Sequence, residues 1–174
     1  MLERRSALVT AHPYRSPVLK IEEAPGFSLL QLAGSETALA KSAGTLPDRV
    51  GVAAFHKGRT IFRIGPAQFW AVGPEGDDLA RKLEGKCAVT SLTSSRTRIL
   101  LDGPPARDVL AKGIAIDWHE SVFKPGCFAL TGVHHMPLAF HCTGASSFHL
   151  YAMRTFAMSI YELLTDAALE FAHA

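Results

Sequence analysis

Along this chain one order of elements is read twice: strand, strand, helix, strand, strand, strand, helix, over residues 18–85 and again over 86–174. In the first half, residues 18–22 and 27–32 read as strands parted by the turn Ala24-Pro25-Gly26. Ser35 caps a short helix with Leu39 and Ala40 facing inward, and Gly44 ends it. Strands over 50–55, 60–64 and 69–72 follow, with turns at His56-Lys57-Gly58 and Gly65-Pro66. A helix over 75–83 opens on acids, closes on Arg81 and Lys82 and is followed by Gly85, a charge order that suits the helix dipole. In the second half, strands over 87–92 and 97–101 precede a helix over 106–112 and an irregular segment over 114–124. Strands over 127–133, 137–142 and 148–153 lead to a helix over 154–171. Its Phe156, Ile160, Leu163, Leu164, Ala167 and Phe171 recur every three to four residues and predict a buried stripe. The text from Ile61 can be laid beside that from Leu138, each reading strand, small-residue turn, aromatic-bearing strand, helix. Two such ββαβββα units around a common core predict an α+β domain built as a pseudo-twofold duplication, with halves 18–85 and 86–174.

Residues 1–17 mix Arg4, Arg5 and Arg15 with His12, Pro13 and Pro17 and keep no period. They read as an extended arm that stays mobile or lies on a partner. A length of 174 residues fits one domain over 18–174, large enough to need no disulfide or metal staple. The net charge is only +2 with basic residues spread along the chain, which argues against a nucleic-acid surface. Cys87, Cys127 and Cys142 are odd in number and lack C-x-x-C spacing, so they read as reduced thiols in the cytoplasm. The charged start Met1 to Arg5 leads into no apolar leader, and no run approaches the ~20 apolar residues of a membrane span.

Chemistry is hard to find among the eight histidines. His134 and His135, read as strand neighbours, point to opposite faces and cannot easily share a metal. His141 and His149 fall on adjacent strands of a hairpin. A four-residue turn over 143–146 sets His141 opposite Phe148 and His149 opposite Phe140, whereas a shift of one residue brings the imidazoles together. The first register is the expectation, with no metal. Gly144-Ala145-Ser146-Ser147-Phe148 departs from a nucleophile elbow at its last position, and no phosphate-binding glycine spacing occurs. The adjacent carboxylates Glu22-Glu23 and Asp77-Asp78 sit at element ends, where capping and solvation account for them. No catalytic, cofactor-binding or metal residue is therefore assigned. An interaction surface remains as the candidate site: Trp118, His119, Phe123, Phe128 and His135. Aromatic rings near arginine are common interface anchors, although the same rings could close the domain's own core.

The most distinctive wording is Ser94 to Gly113, SSRTRILLDGPPARDVLAKG, a strand that turns through Gly-Pro into a short helix. Ile99, Leu100, Val109 and Leu110 are expected in the core. Together with Phe123-Lys124-Pro125-Gly126-Cys127, Phe148-His149-Leu150-Tyr151 and Arg154-Thr155-Phe156, it resembles the gamma subunit family of heterotetrameric sarcosine oxidase. The resemblance runs from about Gly51 to Phe171. It implies the fold of the folate-binding domain of aminomethyltransferases, and a non-catalytic subunit that stabilises the assembly of large alpha and beta subunits with a small delta subunit. It also implies that FAD, FMN, NAD, tetrahydrofolate and zinc belong to those partners and that this chain binds none. Folate-binding relatives carry a K-G-C-Y-x-G-Q-E run. Here Lys124-Pro125-Gly126-Cys127-Phe128-Ala129-Leu130-Thr131 has neither Gln nor Glu after the cysteine. The substrate of the complex is left open between sarcosine and related N-methyl amino acids. The alternative is a stand-alone tetrahydrofolate-binding or aminomethyltransferase-like protein.

Overall fold

The computed structural model describes residues 5–173. Among these described residues eleven strands and four α-helices follow one another: β1 Tyr14–Arg15, β2 Lys20–Glu23, β3 Phe27–Ala33, α1 Glu36–Ala43, β4 Ala53–His56, β5 Arg59–Gly65, β6 Gln68–Pro74, α2 Leu79–Leu83, β7 Ala88–Ser91, β8 Arg96–Asp102, α3 Ala106–Ala111, β9 Phe128–Val133, β10 Met136–Gly144, β11 Ser147–Met153 and α4 Ala157–Ala168. They form two sheets with strand orders β1-β2-β8-β11-β10-β9 and β4-β5-β6-β3-β7, every pairing antiparallel.

Two compact units result: one continuous, Gly26–Thr93, and one split, running to Pro25 and again from Ser94. Their boundaries are offset from the halves read in the sequence. β2, which opens the first half, is hydrogen-bonded to β8, and β7, which opens the second, is hydrogen-bonded to β3. Each half thus contributes its opening strand to the other sheet. That exchange apart, the two sheets share one order, β8-β11-β10-β9 in one and β3-β6-β5-β4 in the other. They share irregularities as well. The β4–β5 hairpin turns at Lys57-Gly58 and the β9–β10 hairpin at His134-His135, both two-residue turns with positive φ throughout. β5 shifts register between Arg63 and Gly65, and β10 does so between Cys142 and Gly144.

In the continuous unit, Leu30, Leu32, Ile61, Phe69 and Ala71 of the sheet close on Leu39 and Ala43 of α1 and on Leu79 and Leu83 of α2. Ala43 rather than Ala40 faces inward beside Leu39, because positions 39 and 43 are one helical turn apart. Ser35 stands at the N-cap without a side-chain cap bond. The helix expected from residue 75 begins only at Leu79. Asp77 is held in the preceding turn by Arg59, with Nε and Nη2 donating to its carboxylate at 2.5 and 2.6 Å, and it accepts the Leu79 N–H at 2.9 Å. That bidentate guanidinium lowers the Asp77 pKa, with burial opposing the shift.

In the split unit, alternate residues of the sheet, including Ile99, Leu101, Leu138, Phe140, Phe148 and Leu150, pack with Val109 and Leu110 of α3 and with Ile160, Tyr161, Leu164 and Ala168 of α4. Leu100, expected in this core, lies on the opposite face, as strand alternation with Ile99 and Leu101 requires. The expected final helix is α over Ala157–Ala168 and 3₁₀ at both ends. The expected arm is bound to its own unit as far as it is described: Leu8 is buried, and Tyr14 and Arg15 pair with β2. The Tyr161 hydroxyl donates toward the carbonyls of His12 at 2.8 Å and Ile21 at 3.0 Å and accepts the Tyr14 N–H at 3.1 Å. The Tyr14 hydroxyl donates to the Ala168 carbonyl at 2.9 Å. Residues 1–4, with Arg4 among them, lie outside the described range.

The Asp102-Gly103-Pro104 turn shows why the distinctive segment is worded as it is. Gly103 has φ +138, and a Cβ there would lie 2.1 Å from the Val18 carbonyl oxygen and 3.0 Å from Leu19 Cα. Backbone cannot withdraw as a flexible side chain can. Gly103→Ala is expected to destabilise the fold by about 1–3 kcal/mol from backbone strain alone, with the collision added. Urea unfolding checks this against Gly76→Ala, where φ is +76 but a Cβ meets nothing within 4 Å; Gly103→Ala shifts the midpoint further.

Candidate functional site

The segment 114–124 folds inward. Trp118 sits edge-on to Phe123, Phe140 and Phe148, with ring centroids 5.0, 5.3 and 5.8 Å away, and its indole N–H donates to the Ile114 carbonyl at 3.1 Å. Trp118, Phe123 and Phe128 keep only 5%, 7% and 2% exposure. Trp118 and Phe123 are therefore core residues of the split unit and Phe128 is buried as well, which corrects the assignment of these three rings as a surface. Phe128 is not part of the Trp118 cluster: it lies opposite His141 in the ladder, on the other face of the sheet. Of the five candidates only His119 and His135 are exposed. The His119 ring is engaged with the Ser121 hydroxyl at 2.7 Å. His134 and His135 form a hairpin turn at φ 45 and 67 rather than strand positions; histidine is among the residues that tolerate this region.

Arg107 organises the segment and was not singled out from the sequence. Its Nη1 donates to the carbonyls of Trp118 at 2.5 Å and Phe123 at 3.0 Å, and its Nε to that of Ala145 at 3.1 Å. The guanidinium carbon stands 5.1 Å from the centre of the Phe148 ring. A signal existed: a cation in the first turn of a helix opposes the dipole and needs another reason to be there.

The other face of the same sheet carries a row of buried and half-buried titratable side chains. His141 is directly opposite His149, not Phe148 as expected: the turn is two residues rather than four, with Gly144 opposite Ser147, and the bulge between Cys142 and Gly144 then shifts the ladder by one residue. Their rings stand 6.4 Å apart, and Tyr151 lies 6.4 Å beyond His149. Arg98, opposite Tyr151 on β8, hydrogen-bonds the phenol and donates to the carbonyls of Ala24 at 2.9 Å and Pro25 at 3.1 Å. Burial, then the neighbouring His149, pushes His141 down to about 4. Burial, then Arg98, pushes His149 down to about 4. Burial raises the Tyr151 phenol to about 12 against the pull of Arg98. At neutral pH these are uncharged groups, far from the range in which a general acid or base works well.

Among the described residues no three His, Cys, Asp or Glu side chains gather as metal ligands. The three cysteines are free thiols, and burial raises those of Cys87 and Cys142. A pterin is not well served at the β9 edge. After Cys127 comes buried Phe128, and, counted from the cysteine, the positions that hold Gln and Glu in the K-G-C-Y-x-G-Q-E run are here a half-buried Thr131 and an exposed Gly132. Neither supplies the carboxylate or amide that would hold the ring.

No protein-family model matches the chain. Among curated proteins, the sarcosine oxidase subunit gamma of Corynebacterium sp. (strain P-1) is 33% identical over 147 residues, 80% of this chain and 72% of that protein. The subunit gamma of an Arthrobacter species is 32% identical over the same shares. Among solved structures, a chain of heterotetrameric sarcosine oxidase from Corynebacterium sp. U-96, in complex with pyrrole 2-carboxylate, superposes with a TM-score of 0.88 at 26% identity, covering 98% of this chain and 97% of that one. The glycine cleavage system aminomethyltransferase T from Bartonella henselae gives 0.65 at 16% identity, covering 86% of this chain and 46% of the other, a likeness of fold alone. The α+β architecture expected from the sequence is therefore the one shared with aminomethyltransferases, and the chain belongs to the sarcosine oxidase gamma subunit family.

Proposed function

We propose that this chain is the non-catalytic structural subunit of a heterotetrameric, flavin-dependent sarcosine oxidase or a related N-methyl amino-acid oxidoreductase. Its work is to stabilise the assembly of the large alpha and beta subunits, with a delta subunit completing the complex. The observation that carries this reading is the agreement in fold, over nearly the whole chain, with a chain of heterotetrameric sarcosine oxidase. Two features of the chain support it. The buried His141, His149 and Tyr151 are held uncharged at neutral pH, and the Trp118 cluster and Arg107 are spent on internal packing. FAD, FMN, NAD, tetrahydrofolate and zinc then belong to the partner subunits, and the free thiols suit a cytoplasmic location.

The test is to express the large subunits with and without this chain. With it, flavin-dependent sarcosine oxidation should survive dilution and mild heating; without it, activity and flavin should be lost. Unchanged flavin retention and activity, with this chain remaining monomeric in the mixture, overturns the reading. The fold shared with aminomethyltransferase T favours one second reading, a stand-alone folate-binding protein. Saturable micromolar binding of tetrahydrofolate to the purified chain would favour it over the subunit role.

A further inference from the structure

We infer that β4 is a docking edge that receives an extended segment of a large subunit as an added strand, the segment being apolar with acidic residues at its ends. The inference rests on the subunit role proposed above. Among the described residues β4 ends its sheet and pairs on one side only, with β5. An edge strand offers a row of unpaired backbone donors and acceptors, and natural proteins guard such edges with lysine, proline or a bulge. β4 has none of these: it reads Ala-Ala-Phe-His, and its ladder with β5 runs without a register shift.

At its middle Phe55 is 74% exposed, and Val50, just ahead of the strand, is 58% exposed. The Phe55 ring is not an isolated surface apolar group. Phe55 is opposite Thr60, Thr60 is opposite Val72, and Val72 is opposite Leu29. Directly opposed residues share a face. Val72 and Leu29 at the inner end of this row are buried, while Phe55 at its outer end stands open. An added strand beyond β4 would continue the face and cover the ring.

Charge decides between partners. Arg49 and Lys57 flank the strand, both are exposed, and neither joins an ion pair among the described residues. Nearby Arg59 and Arg63, by contrast, are neutralised by Asp77, Asp78 and Glu36. Exposed Asp48 acts on Arg63. A second copy pairing β4 with β4 in antiparallel fashion would bring basic ends together. An acidic-flanked segment of another subunit meets them with opposite charge, the complementarity that sets register and suppresses wrong pairing.

The experiment places photoreactive benzoylphenylalanine at position 55 in the chain co-expressed with the large subunits, and in parallel tests Phe55→Lys. The expected photoproduct joins position 55 to an extended segment of a large subunit with Asp or Glu at its flanks. Phe55→Lys should keep the wild-type circular dichroism spectrum and unfolding midpoint, since the ring is exposed, yet enter the complex at least tenfold less well. Cross-links only to a second copy of this chain, or wild-type entry of Phe55→Lys with no cross-link to a large subunit, overturn strand addition while the subunit role stands. A wild-type chain that enters no assembly overturns the subunit role and strand addition together.

Discussion

Replacing Trp118 with alanine is expected to lower the folding stability of the isolated chain by about 3–5 kcal/mol, the range for truncating a large buried ring. The indole is 95% removed from solvent and makes edge contacts with Phe123, Phe140 and Phe148, which belong to the same core as α3 and α4. Alanine leaves a cavity among three aromatic rings and leaves the Ile114 carbonyl without its indole donor. Trp118→Phe retains most of the volume and should lose markedly less. Urea unfolding of the isolated chain measures both. The outcome also separates two roles for this residue. A ring serving a partner surface would leave the isolated chain as stable as wild type and weaken assembly only.

Acidification from pH 7 to about pH 4.5 is expected to destabilise the split unit before most carboxylates titrate. His141 and His149 have folded-state pKa values near 4, against 6.5 when exposed. The unfolded chain therefore takes up protons first as the pH falls. The stability these imidazoles contribute is complete above about pH 6.5 and drains away as the pH drops from there toward 4. The upper limit is roughly 3 kcal/mol for each ring, and less for the pair because the rings influence one another. Asp77, Glu22, Glu36 and Asp78 have lowered pKa values, so their contribution is lost in a separate window, below the usual carboxylate range. Urea midpoints at pH 7.0, 5.5 and 4.5 test this, with His141→Asn/His149→Asn as the comparison. The wild type should lose stability across the interval, and the double variant should be much flatter. A wild-type midpoint that is the same at pH 7.0 and 4.5 contradicts the burial of neutral imidazoles.

The order of elements was legible in the sequence because strand alternation and helical spacing are local signals. What stayed hidden depended on pairing. Nothing in residues 20–23 says that β2 will hydrogen-bond β8, more than seventy residues away, rather than a strand of its own half. The His141–His149 pairing was missed for a more instructive reason. Gly65-Pro66-Ala67-Gln68-Phe69 and Gly144-Ala145-Ser146-Ser147-Phe148 occupy matching turns. In both, the glycine faces the residue before the phenylalanine, and the phenylalanine faces the residue two before the glycine. Carrying the first turn's register onto the second would have set the two imidazoles opposite each other. The interface reading of Trp118 and Phe123 failed because an irregular segment carries no periodicity to reveal which way its rings point. Arg107, which holds that segment inward through three carbonyls, was the residue that could have shown it. Exposed Phe55 was hidden in the opposite way, since an aromatic in a short apolar strand reads as core.

The subunit role is tested most directly by native mass spectrometry of the assembly captured through a tag on this chain after co-expression with the large subunits. One mass is expected, holding a single copy of this chain with each large subunit and flavin retained, with dissociation into subcomplexes when this chain is withdrawn. Recovery of the tagged chain alone, beside large subunits that remain assembled and active without it, would rule out the structural-subunit role.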